Sequence, residues 1–109
     1  MKHLIENDIE EYLVARSEEE HGMCYKFISP QNSGVPDRIL IIKGFTIFIE
    51  TKAPGKTPRL LQKKKHEEMK RCGATVITID SKEQIDKLFE LLKSKKKRPA
   101  LKDIERISK

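Results

Sequence analysis

The sequence predicts an α/β domain: a mixed β-sheet flanked by helices, in the order α-β-β-β-α-β-α. Apolar residues recur at helical spacing near the N-terminus, and β-forming segments stand at 24–28, 38–42, 45–51 and 75–79. A helix-length segment separates the last two of these. A two-residue turn makes the middle pair antiparallel, whereas a helical crossover makes the last strand parallel to its neighbour.

The first helix spans residues 4–16, with Ile5, Ile9, Tyr12 and Leu13 on one face. At about 100° per residue, Glu6 and Glu10 project between Leu13 and Val14, inside the apolar arc, while Asp8 and Glu11 point outward. Standing one turn apart, the two carboxylates form one ridge and can serve one site. A polar, Glu-rich turn at 17–22 leads into the strand at 24–28, and Pro, Asn, Ser and Gly at 29–34 predict irregular backbone. Lys43-Gly44 is the hairpin connection between 38–42 and 45–51. In the second of these strands Phe48, Glu50 and Lys52 share one face, and Ile47, Ile49 and Thr51 the other. Both faces being apolar, the sheet is expected to be covered on both sides.

Thr57 and Pro58 suit the N-cap and first position of a helix that ends before Gly73 and carries Arg59 and Gln62 in its first turn. Ser81-Lys82-Glu83-Gln84 reads as a capping box opening a helix whose inner face is Ile85, Leu88, Phe89 and Leu92. The domain is expected over 1–94, and the charge run at 93–98, followed by Pro99, leads into a basic tail over 95–109 with at most a weak terminal helix.

With 109 residues the chain suits a single domain, and 23 Lys+Arg against 17 Asp+Glu give +6, a balance that suits a polyanionic partner. Cys24 and Cys72 lie in no CxxC and near no cluster of His, which argues against a zinc or disulfide framework and for a reducing, intracellular setting. Cys72, before Gly73, reads as a core residue. His3, His21 and His66 have no metal-site spacing and read as surface residues. No stretch is apolar and long enough to span a membrane, and the charged N-terminus is unlike a signal peptide, so a soluble, unexported protein is expected.

The chemistry concentrates in Gly34-Val35-Pro36-Asp37 and Phe48-Ile49-Glu50-Thr51-Lys52. Two carboxylates and an ammonium on adjoining strands, among apolar residues, are costly to bury unless they bind a cation and do chemistry. Asp37 and Glu50 are hard oxygen donors suited to Mg²⁺ or Mn²⁺, with Glu10 or Glu6 closing the set and the Thr51 carbonyl as a further ligand. The Thr51 side chain is expected to point away. Lys52, on the face of Glu50, is placed to orient or deprotonate a water or to stabilise the transition state of phosphodiester hydrolysis.

At these residues the chain resembles the VRR-NUC (virus-type replication-repair nuclease) family of the PD-(D/E)XK nuclease superfamily. The resemblance runs from about Glu6 to Leu92. Its specific matches include Ile9-Glu10-Glu11-Tyr12-Leu13, Gly34-Val35-Pro36-Asp37-Arg38, Phe48-Ile49-Glu50-Thr51-Lys52-Ala53-Pro54-Gly55, Gln62 and Ile79-Asp80-Ser81. It implies a restriction-endonuclease-like core and Mg²⁺- or Mn²⁺-dependent DNA cleavage by water. It assigns Asp37 and Glu50 as metal ligands, Lys52 as the catalytic lysine, Glu10 as the helix carboxylate with Glu6 as second choice, and Gln62 as the polar group after the strand. Stand-alone members of the family resemble homodimeric Holliday-junction resolvases, which implies a homodimer selective for branched DNA such as junctions or flaps. Lys56, Arg59, Lys63, Lys64 and Lys65 would supply phosphate contacts, with 93–98 as a clamp. The rivals are a non-catalytic junction-binding module of the same fold and an exonuclease or restriction-type member.

Overall fold

The protein is described by a computed structural model covering residues 5–94 and 98–108. Its elements are α1 (Ile5–Glu19), β1 (Met23–Lys26), β2 (Arg38–Ile42), β3 (Phe45–Thr51), α2 (Leu60–Arg71), β4 (Thr75–Ile79), α3 (Lys82–Lys93) and α4 (Leu101–Glu105). The four strands form one sheet in sequence order, β1, β2 and β3 antiparallel and β4 parallel to β3. Lys43 and Gly44 both adopt positive φ, 50° and 86°, the combination of a tight hairpin turn whose twist matches the strands.

One face of the sheet carries the core. Leu40, Ile42, Phe45, Ile47, Ile49, Ile77 and Ile79 pack there against Ile9 and Leu13 of α1 and Ile85, Leu88, Phe89 and Leu92 of α3. Tyr12 and Arg16 of α1 both donate to Asp86 Oδ1 of α3, and the Arg16 guanidinium lies 5.2 Å from the Phe89 ring centre. The first helix runs one turn beyond the expected residue 16, because the buried Ser17 hydroxyl donates back to the Leu13 carbonyl at 2.7 Å and lets the helix continue.

The opposite face is covered only in part. Helix α2 lies over β4 and the end of β3, leaving Met23, Tyr25 and Ile41 at 54%, 55% and 41% exposure on the β1–β2 half. The expectation of a sheet covered on both sides therefore holds for half of it: a twelve-residue helix spans only part of the sheet. Helix α2 also starts two residues later than Thr57 and Pro58 imply. The Gln62 side chain accepts from the Arg59 N–H at 2.8 Å, which fixes Arg59 as the N-cap. Cys72, expected in the core, is exposed, since it is the C-cap residue of α2 at the helix end facing water.

Beyond residue 98 the chain packs on the domain. The Arg98 guanidinium stacks 4.0 Å over the Phe45 ring and donates to the carbonyls of Lys43 and Gly44 at 3.1 and 3.2 Å. Ile104 of α4 is fully buried in the core. The outward groups of the last strand find partners here too: Thr78 N–H donates to Ser108 Oγ at 2.9 Å, and Gln84 Nε2 donates to the carbonyls of Thr78 and Ile107. This closes an edge that would otherwise present open backbone groups. Arg98, expected to clamp DNA, is occupied in fastening the chain to the β2–β3 hairpin, while residues 95–97 of that charge run lie outside the described residues. Ile104→Ala should cost about 2–5 kcal/mol by urea denaturation, the range for truncating a buried aliphatic side chain.

Candidate active site at the end of the third strand

Sheet register brings Asp37 and Glu50 together. Arg38 pairs with Ile49, so the residues just before and just after them, Asp37 and Glu50, face one another where β2 begins and β3 ends. Glu50 is 4% exposed. Its Oε2 accepts from Gln62 Nε2 at 3.1 Å and lies 3.3 Å from the Lys52 ammonium, while its Oε1 is buried with no hydrogen-bond partner. Burial and the neighbouring Asp37 charge push the Glu50 carboxyl up from 4.5 to about 7, against the pull of Lys52. Burial likewise raises Asp37, opposed by the Thr51 N–H and hydroxyl and reinforced by the charges of Glu10 and Glu6.

Asp37 is fixed by the end of β3. Its Oδ1 accepts from Thr51 N–H at 3.3 Å and its Oδ2 from Thr51 Oγ1 at 3.1 Å. This corrects the expectation that the Thr51 side chain points away: at the strand end the Asp37 carboxylate reaches from β2 to the end of β3 and meets the hydroxyl. Continuing the register places Pro36 opposite Thr51, and proline has no N–H to donate. The Thr51 carbonyl therefore faces a gap in the ladder.

Two loops hold the strand ends in place. Gly34, at φ +87°, brings the loop before Asp37 onto α2: a Cβ there would stand 2.9 Å from the Leu61 carbonyl and 3.3 Å from Gln62 Cα. After β3, Gly55 N–H donates to Asp80 Oδ2 at 2.9 Å, tying the following loop to the end of β4.

The first helix departs from expectation. Glu10 is held by Arg38, whose Nε lies 2.7 Å from its Oε2, while its charge still acts on Asp37. Strand alternation explains this: Arg38 points to the α1 face of the sheet, opposite to the face of Glu50. Glu6 is exposed, and its charge is felt at both Asp37 and Glu50. Among the described residues no three His, Cys, Asp or Glu side chains are arranged to hold a metal ion. The donor set is instead two carboxylates and a backbone carbonyl. That set fits a hard divalent cation, and the buried, unpartnered Glu50 Oε1 beside a second raised carboxyl is what such an ion would satisfy.

Lys56, Arg59, Lys63 and Lys64 are exposed around the start of α2, and Lys65 pairs with Glu68 at 2.9 Å. His66, expected at the surface, is 5% exposed, and its Nε2 is buried without a hydrogen-bond partner. Its place one turn beyond Gln62 on α2 is the signal that could have revealed it. His21 is exposed as expected, and His3 lies outside the described residues.

No protein-family model matches the sequence. The chain is 39% identical over 84 residues to a protein of Acyrthosiphon pisum secondary endosymbiont phage 1 described as "Putative nuclease p44", covering 76% of this chain and 90% of that one. A solved VRR-NUC domain superposes with a TM-score of 0.72 at 30% identity, over 80% of this chain and 96% of that domain. The chain belongs to the VRR-NUC family. The mixed sheet flanked by helices is the VRR-NUC core, and the 80% overlap takes in most of the fold. No helix among the described residues of this VRR-NUC domain is long and apolar enough to cross a membrane.

The raised Glu50 carboxyl has a consequence for stability. Between 4.5 and about 7 the folded protein holds a proton that the unfolded chain has released. This residue's contribution is therefore fully present below the lower value and is lost as pH rises through the upper one. In metal-free protein, Glu50→Gln should melt at least about 4 °C above wild type at pH 8, and the difference should vanish near pH 4.5, as followed by calorimetry.

Proposed function

We propose that the protein is a metal-dependent deoxyribonuclease: an endonuclease that hydrolyses phosphodiester bonds of branched DNA, working as a homodimer in the cytoplasm of a bacterial or phage-infected cell. The observation that carries the reading is the buried Glu50 carboxylate with one oxygen unpartnered, facing Asp37. Family membership and a phage relative described as a nuclease support it.

Asp37, Glu50 and the Thr51 carbonyl would hold Mg²⁺ or Mn²⁺, with Glu6 the helix carboxylate free to join them and Glu10 retained by Arg38. When bound, such an ion neutralises phosphoryl charge and acidifies its water. The other roles belong to the chain's own side chains. Gln62 donates to Glu50 and fixes the orientation of that carboxylate. Lys52 brings a positive charge to the phosphoryl oxygens, where charge grows in the transition state, or orients the attacking water. Lys56, Arg59, Lys63 and Lys64 contact phosphates beside the site, so binding weakens steeply with salt and shows little sequence preference.

A compact domain that cuts paired strands of a branched substrate gains from two sites related by a two-fold axis, which supports the dimer. Sedimentation of a 12.7 kDa monomer, both free and on DNA, would exclude it.

The decisive assay offers labelled four-way junction, flap, splayed-arm, linear duplex and single-stranded DNA with Mg²⁺, Mn²⁺ or EDTA. Cleavage should require the ion and favour branched substrates; binding without scission under every condition would instead mark a junction-binding module, and end dependence an exonuclease. Lys52→Ala should bind DNA nearly normally and lose about 10²-fold or more in rate. Asp37→Asn should also weaken ion binding by calorimetry. Glu6→Gln should reduce the rate more than Glu10→Gln, and the reverse order would return the helix role to Glu10.

A further inference from the structure

His66 is used by none of these steps, yet it occupies a costly position. The residue is 5% exposed and its Nε2 has no hydrogen-bond partner, although leaving a buried polar nitrogen unpaired is disfavoured. A leucine or phenylalanine in its place between α2 and the sheet would avoid that penalty.

Its surroundings point to what the nitrogen is for. Gln62 and His66 stand one turn apart on the buried side of α2, over the sheet face that holds Glu50 and, beside it in register, the buried Thr78. Gln62 and Lys52 converge on the same Glu50 oxygen, Oε2. Burial, then the fields of Lys70 and Lys52, push the imidazole below its ordinary value, so it stays neutral and keeps a lone pair. Lys52 is thus a donor with a single carboxylate partner, and His66 has a buried ring nitrogen with none, under the same helix.

We propose that His66 is a positioning residue for Lys52: its Nε2 accepts a hydrogen bond from the lysine ammonium when Glu50 turns its charge to a bound divalent cation. The inference rests on the reading of Asp37 and Glu50 as cation ligands. Without a second acceptor, an ammonium released from Glu50 would be free to swing to solvent, and the charge meant for the phosphoryl group would lose its place. No proton is transferred; one hydrogen bond of Lys52 is exchanged for another.

Two substitutions separate this role from packing. His66→Leu should fold, melt no lower than wild type, and keep its KM for DNA while kcat falls about tenfold or more. His66→Gln, which retains an acceptor, should recover the rate to within about threefold of wild type. Wild-type activity in His66→Leu, or equal loss in both variants, would overturn the proposal. A second readout needs no catalysis: on addition of Mg²⁺ to ¹⁵N-labelled protein without DNA, the His66 Nε2 resonance should move to the position of a hydrogen-bonded, unprotonated nitrogen, and this shift should be absent in Lys52→Met. An unmoved resonance in wild-type protein that binds Mg²⁺ would overturn the inference. The expected shift in protein that cuts no DNA would leave the inference standing and overturn the nuclease reading instead.

Discussion

Burial of the Glu50 carboxylate is the constraint around which this end of the molecule is organised. Glu50 lies near the end of a strand paired on both sides, β2 antiparallel and β4 parallel, so its backbone has no freedom to carry the charge out to water. Neighbouring elements supply partial relief from the side: Gln62 from α2, and Lys52 from the residue after β3. Relief is incomplete: one oxygen keeps no partner and a second carboxylate stands opposite, so that burial and mutual repulsion raise both carboxyls.

The rest of the fold can be understood as support for that strand end. The apolar face of β3 is locked by α1 and α3, the terminal segment seals β4, and the hairpin that returns the chain from β2 to β3 is gripped by Arg98. Arg38 has a subtler part. By pairing with Glu10 it offsets part of a carboxylate charge that still acts on Asp37, in a site already crowded with negative charge.

Much of this was legible in the chain. Strand alternation and the Lys43-Gly44 turn gave the antiparallel pair, and the helix between Glu50 and Thr75 gave the parallel one. Asp37, Glu50, Lys52 and Gln62 converge as their positions imply. What was not legible depended on contacts between residues distant in sequence. The pairing of Glu10 depended on Arg38, whose direction is fixed by sheet parity and not by helical periodicity. His66 looked like one more polar residue in a basic helix until the placement of α2 showed which side was buried. The terminal residues resembled a charged tail because Arg98, Ile104 and Ser108 act singly, each against a different partner, and produce no periodic pattern.

The close approach at Gly34 bears on how this site can vary over evolutionary time. The distance between the Asp37 loop and α2 is set by backbone against backbone, with a hydrogen atom as the only spacer. Residues 30–33 are exposed, so the loop can change composition there without altering where Asp37 ends up. A single methyl group at position 34 would instead act as a wedge, displacing the first turn of α2 and with it the residue that orients Glu50. The geometry of the carboxylate pair is thus inherited through an absent side chain, and drift in the surrounding loop leaves it unchanged.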